Sequence, residues 1–320
     1  MIDPQLQTLL DRQAKGPYRN LFAVPLEEAL AEVRGATPRV AAQSDWDGQI
    51  RDRTVPGPDG EVPIRIYSPP GPVQGQAPGP AQGALVYFHG GGWVAGSVDG
   101  SDGLCRSLAG ILGWIVISVD YRLAPECRFP GALEDCYAAA QWAVTNATNA
   151  TNSTKAGELN CRPRVAIGGT SAGGNLAAAV ALLARDRRAP GFNAQILIYP
   201  VCDSSLDFPS FEENTAYLNR DRMAWYWAQY VQSEADKRSP YAAPLRATDF
   251  RDLPQALVVT AALDPLRDEG EAYAERLRQA GVAVTGLRCE GVTHGFFSMS
   301  LELQQSRDSL REMQKLLQQC

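Results

Sequence analysis

Short unbroken apolar runs alternate with stretches in which apolar residues recur every three or four positions. The runs at 84–88, 114–119, 165–167, 196–199, 256–260 and 282–287 have the length and continuity of strands buried on both faces. Between them, 104–112, 132–144, 175–184 and 271–280 carry helical spacing, and a further helix begins near 303. Such alternation predicts an α/β fold, a mostly parallel central sheet flanked by helices. Ahead of it, 51–67 alternates around Pro56-Gly57-Pro58-Asp59-Gly60 and predicts a β-hairpin. The Pro-, Gly- and Gln-rich 69–83 reads as a surface loop. Further upstream, Leu6, Leu9 and Leu10, then Leu26, Ala29, Leu30 and Val33, predict two short amphipathic helices separated by Pro17 and Pro25. Residues 203–244 break the alternation. They carry Trp225, Tyr226, Trp227 and Tyr230 close together and read as an inserted helical segment.

Composition changes this picture little. At 320 residues, 45% hydrophobic and 21% charged, the chain has the make-up of a globular protein with a large core. A net charge of -6 with no dense basic cluster argues against nucleic acid as a partner. No apolar run reaches the roughly 18 residues a membrane span needs, and Met1-Ile2-Asp3-Pro4-Gln5 has no signal-peptide character. The seven cysteines are scattered and form no C-x-x-C pair, so reduced thiols in the cytoplasm are expected, with no zinc site or disulfide framework. Residues 146–154 (NATNATNST) are expected to form a polar loop, although they contain three glycosylation-type sequons.

The chemistry concentrates at Ser171. Gly169-Thr170-Ser171-Ala172-Gly173 falls between a strand and a helix, which is the setting of the G-x-S-x-G nucleophile elbow. A serine hydroxyl needs a base, an acid that orients the base, and donors for the oxyanion. The chain has two histidines, and only His294 follows Ser171, as the order Ser, Asp or Glu, His requires. Asp264, soon after the strand at 256–260, is the favoured acid over Asp268, expected to cap a helix, and Glu290. His89-Gly90-Gly91-Gly92-Trp93 follows an early strand and lacks the residues of a phosphate-binding loop. Its glycines, with the amide of Ala172, are the expected oxyanion donors, and His89 is expected to steady the loop.

Together these motifs resemble the hormone-sensitive lipase family of α/β-hydrolases (bacterial family IV esterases). The likeness runs through HGGGW at 89–93, YRLAPE at 121–126, GTSAGGN at 169–175, SPYAAPLRA at 239–247, LPQALVVTAALDPLRDEG at 253–270 and THGFF at 293–297. Carried over by position, it implies a triad of Ser171, Asp264 and His294, with oxyanion donors on Gly91, Gly92 and Ala172. It also implies an α/β-hydrolase fold with a helical cap drawn from 1–45 and 203–244, the core occupying 46–202 and 245–320. Thr170 stands where much of the family has Asp, as in its GTSAG-type subgroup. Tyr121 and Arg122 are expected to brace the site. The implied activity is that of a serine carboxylesterase on short- to medium-chain acyl esters, with no cofactor or metal. Trp93 and Phe296 are expected to line an apolar acyl pocket. Amidase, thioesterase and lactonase chemistry would use the same triad, and a non-catalytic binding relative would lack the histidine present at 294. A homodimer is also expected from the resemblance.

Overall fold

The computed structural model describes residues 2–13, 19–36, 46–70, 80–149, 159–213 and 218–320. Helices α1 (Pro4–Gln13) and α2 (Leu26–Gly35) precede the antiparallel hairpin β1 (Gln49–Gly57) and β2 (Gly60–Ser68). The hairpin turns through Pro58 and Asp59, with Gly57 paired to Gly60. Strands β3 (Ala84–Phe88), β4 (Ile115–Val119), β5 (Val165–Thr170), β6 (Ala194–Ile198), β7 (Gln255–Leu263) and β8 (Val284–Thr293) complete an eight-stranded sheet. Its order is β1-β2-β4-β3-β5-β6-β7-β8, and every pairing from β4 to β8 is parallel. In chain order the remaining helices are α3 (Asp102–Leu112), α4 (Gly131–Asn149), α5 (Ala172–Asp186), α6 (Ser210–Glu213), α7 (Arg220–Tyr230), α8 (Glu234–Arg238), α9 (Arg267–Gln279), α10 (Phe296–Met299) and α11 (Gln304–Gln318).

Two apolar layers sandwich the sheet, and the period-2 pleat assigns each strand residue to one of them. In β3, Ala84, Val86 and Phe88 belong to the layer that holds α4, α5 and α9, while Leu85 and Tyr87 belong to the layer that holds α3 and α11. Every residue of β3, β4, β5 and β6 is buried, which is why these strands read as continuous apolar runs. Helix α5 is apolar all round because it lies between the sheet, α4 and the return of the insertion. Leu176 and Leu182 are at most 1% exposed, and truncating either to Ala costs about 2–5 kcal/mol.

Two boundaries differ most from expectation. Helix α4 runs on to Asn149 because polar side chains bond its own carbonyls: Thr145 Oγ1 donates to Gln141 O (3.0 Å) and Asn146 Nδ2 to Trp142 O (2.9 Å). The first two sequon asparagines, Asn146 and Asn149, are therefore helical, and residues 150–154 of the expected loop lie outside the described residues. The edge strand β8 continues to Thr293, delivering the chain to His294.

The insertion leaves the core at Cys202 and Asp203 and returns at Leu245 and Arg246. These ends meet: the Leu245 amide donates to Cys202 O (2.9 Å), and Arg246 pairs with Asp203 (2.8 Å). Its aromatics pack onto the loop after β3, with Tyr230 stacked on Trp93 (centroids 4.2 Å apart, planes 2° apart) and Trp227 4.8 Å away. Helix α2 joins this side. Arg34 donates to Val94 O (3.0 Å) and pairs with Glu126 (2.8 Å). Helix α1 instead sits on the opposite layer, where Leu6 is buried and the Asp3 amide donates to Gly291 O (2.7 Å).

Candidate active site

Ser171 occupies the turn from β5 into α5 with φ 56° and ψ −119°, a conformation that costs a non-glycine residue about 1–3 kcal/mol. Its flanking glycines are steric necessities. A Cβ on Gly169 would lie 2.4 Å from Phe88 O, and one on Gly173 would lie 1.9 Å from the same oxygen. The turn is fixed from below, where the Ser171 amide donates to Ile198 O (2.9 Å).

His294 arrives from the end of β8, and Asp264 from the end of β7. Nε2 of His294 lies 2.9 Å from Ser171 Oγ, and Nδ1 lies 2.8 Å from Asp264 Oδ2. Asp264, 1% exposed, accepts a second bond from the Leu266 amide (2.9 Å). A carboxylate only accepts, so Nδ1 carries the proton, and the Nε2 lone pair is left to accept the serine hydroxyl. The other two acids are elsewhere. Asp268 accepts from the Ser210 amide (2.8 Å) and Arg267 Nε (2.9 Å), which ties α9 to α6. The Glu290 side chain is exposed on β8.

The glycine loop abuts this serine, since a Cβ on Gly90 would lie 3.5 Å from Ser171 Cβ. Gly91 and Gly92 have φ of 121° and 60°. A Cβ would strike Ala95 O at 2.2 Å from Gly91 and the Tyr226 ring at 2.3 Å from Gly92. Among the described residues the amides of Gly91, Gly92 and Ala172 donate to no protein acceptor, leaving three free donors beside Ser171, one of them at a helix N-terminus. His89 holds the loop. Its Nδ1 donates to Gly90 O (2.8 Å), its ring stacks on Tyr121 (4.2 Å), and the Tyr121 hydroxyl donates to His89 O (2.8 Å). Burial lowers the His89 pKa and keeps the ring neutral. Arg122 clamps Asp135 and Asp59, bracing the segment that carries Tyr121.

Trp93 and Phe296 sit differently from expectation. Both are 0% exposed. The Trp93 ring lies between Tyr230 and Trp227 with its indole N–H donating to Asn175 Oδ1 (3.3 Å), and Phe296 packs edge-on against Tyr199 and Phe297. Neither ring presents surface to a ligand in this conformation.

Three residues not singled out from sequence also matter here. Asn175, fully buried, donates from Nδ2 to Val201 O (3.0 Å) and Ala242 O (2.8 Å) while accepting from Trp93. It thus joins α5 to the glycine loop and to both ends of the insertion. Glu269, also fully buried, accepts from the Cys202 amide (2.7 Å), and burial raises its pKa well above the usual carboxylate range. Tyr199 packs against His294. A signal existed for the first: Asn175 is the lone polar side chain between Ala172 and Ala184 of α5. Among the described residues no cluster of His, Cys, Asp or Glu is arranged to hold a metal ion, and no helix is long and apolar enough to cross a membrane.

The α/β-hydrolase-fold family model matches residues 85–298. An arylesterase of Saccharolobus solfataricus is 36% identical, covering 92% of each chain. An ethyl acetate hydrolase of Pseudomonas putida is also 36% identical, over 98% of this chain and 96% of its own. Among solved structures, a hyperthermophilic esterase from Pyrobaculum calidifontis superposes with a TM-score of 0.82 at 36% identity over 99% of this chain and 98% of its own. An ester hydrolase from the metagenome of Lake Arreo, solved with a bipyridine phosphonate derivative, gives 0.84 at 35% over 99% and 98%. On fold, motifs and these matches, the chain belongs to the α/β-hydrolase family, in its hormone-sensitive lipase branch.

Proposed function

We propose that the protein is a serine carboxylesterase acting on short- to medium-chain acyl esters through an acyl-enzyme. The observation that carries this reading is the hydrogen-bonded chain from Ser171 through His294 to Asp264, set beside three free amides. Ser171 Oγ attacks the ester carbonyl as His294 Nε2 takes its proton. Asp264 keeps Nδ1 protonated and offsets the charge on the imidazolium. The amides of Gly91, Gly92 and Ala172 bind the tetrahedral oxyanion, and each such donor contributes about 2.7–4 kcal/mol to the transition state. Nε2 then protonates the departing alcohol. Water, activated by the same nitrogen, attacks the acyl-serine and releases the acid. No step calls on a metal or an organic cofactor.

A cytoplasmic setting belongs to this reading, because all seven cysteines are unpaired thiols, as suits a reducing compartment. So does a homodimer formed along the open edge of the sheet at β8, which light scattering on the eluting protein measures. The decisive test is Ser171→Ala on p-nitrophenyl esters of increasing chain length. Wild type is expected to prefer the shorter acyl groups, and the variant to lose at least about a thousandfold in kcat. Undiminished turnover by the purified variant would overturn the proposal.

A further inference from the structure

Tyr199 directly follows β6 in a backbone conformation that its side chain disfavours. Its φ is 38°, in the left-handed region rarely adopted by a bulky aromatic residue, and it precedes Pro200, which favours extended backbone in its neighbour. Strain of this kind persists where the surroundings over-determine it. Here the Tyr199 amide donates to Val259 O (2.6 Å), and the side chain, 1% exposed, reaches the segment carrying His294 at three points. Its ring lies 4.7 Å from the imidazole at 58°, and 5.6 Å from the Phe296 ring. Its hydroxyl is 3.0 Å from Ser298 Oγ in α10. Burial pushes the phenol pKa upward, so the group remains an O–H able to donate.

The imidazole is held at its two nitrogens by Asp264 and Ser171, and these bonds leave it free to roll about the axis joining them. The chain beyond it turns at Gly295, with φ 85°, before α10 begins. A tyrosine ring against the imidazole and a hydroxyl bonded to the next helix restrain both freedoms. We propose that Tyr199 is a positioning residue for His294: its ring limits the roll of the imidazole, and its hydroxyl, latched to Ser298, fixes the α10 turn that carries the base. The left-handed corner at the end of β6 is what aims the side chain there.

This inference rests on the esterase reading, so wild-type turnover and an inert Ser171→Ala variant come first. Tyr199→Phe and Ser298→Ala are then assayed singly and together, with kcat expressed per active site titrated by a fluorophosphonate. Each single variant is expected to lose about three- to tenfold in kcat with KM unchanged. The double variant should be no slower than the slower single, because both remove the same hydrogen bond. The second-order rate of fluorophosphonate labelling should fall by the same factor. A purely structural role would lower the number of titratable sites and leave turnover per site intact. Wild-type kcat per site in Tyr199→Phe, a loss confined to KM, or single effects that multiply in the double variant would each overturn the proposal.

Discussion

Replacing Asn175 by Asp keeps the side chain's shape and reverses the sense of one of its polar atoms. Nδ2 of Asn175 donates to Val201 O at 3.0 Å and to Ala242 O at 2.8 Å, in a fully buried position. An ionised Asp would set a bare charge against those two carbonyl oxygens, so the substituted carboxyl stays protonated in the folded protein. Its single proton serves one carbonyl and leaves the other unpaired, at a cost of about 1–3 kcal/mol at any pH. The second penalty depends on pH. The folded pKa of the new carboxyl is raised above its unfolded value of about 3.9. Its contribution to stability is therefore intact below that value and is lost as pH rises toward the folded pKa, at about 1.4 kcal/mol per unit. Between pH 5 and pH 7 the gap from wild type should widen by nearly 3 kcal/mol on this slope. Urea unfolding at pH 5, 6 and 7 reads it directly, with Asn175→Ala as a comparison whose deficit does not change with pH. A constant gap for Asn175→Asp would refute the two-carbonyl environment described for this side chain.

Three further variants test other parts of the structure. Gly92→Ala places a Cβ 2.3 Å from the Tyr226 ring at φ 60°, which displaces one proposed oxyanion donor and should lower kcat about 10²–10³-fold. Gly113→Ala, at a similar φ of 65° but with no atom within 4 Å of the new Cβ, should cost about 1 kcal/mol of stability and leave kcat alone. Equal kinetics for the two variants would separate Gly92 from catalysis. Glu269→Gln tests the buried carboxyl under the neck of the insertion. Because the Glu269 pKa is raised in the folded state, its contribution is full below about pH 4.3, the unfolded value, and declines as pH rises. The glutamine variant should therefore gain on wild type in unfolding free energy from pH 5 to pH 8. Parallel curves over that range would show that Glu269 is not held protonated.

What could be read from the chain was whatever sat in a local string with a mechanical reason behind it. The elbow at 169–173 announces itself because a nucleophile turn needs glycines on both sides, and the clash distances to Phe88 O show why. His294 followed from its order after Ser171 and from the presence of only one other histidine. Burial escaped this reasoning. Trp93 and Phe296 lie in motifs next to the chemistry, yet sequence neighbours at a positive φ can face opposite ways, and Trp93 at φ 62° turns into the aromatic packing of α7. The contacts of Asn175, Tyr199 and Glu269 are not legible in the sequence for a common reason. Their partners are rings, a hydroxyl and backbone groups at least 25 residues away, and no spacing rule reports a contact of that kind. The end of α4 is not legible in the sequence because threonine and asparagine, ordinarily loop formers, satisfy carbonyls of their own helix.

The pinch at Cys202 and Leu245, where the excursion over the glycine loop leaves and rejoins the core, bears on how this scaffold changes over evolutionary time. A detour whose two feet already touch adds little closure penalty when it grows, since each doubling of loop length costs only about 0.6 kcal/mol. Strand register in β6 and β7 is set by pairing outside the detour, so lengthening or swapping the roof need not disturb the foundations. Diversity in what the enzyme accepts can accumulate in that one exchangeable segment, while the proposed serine, base and acid stay where the sheet puts them.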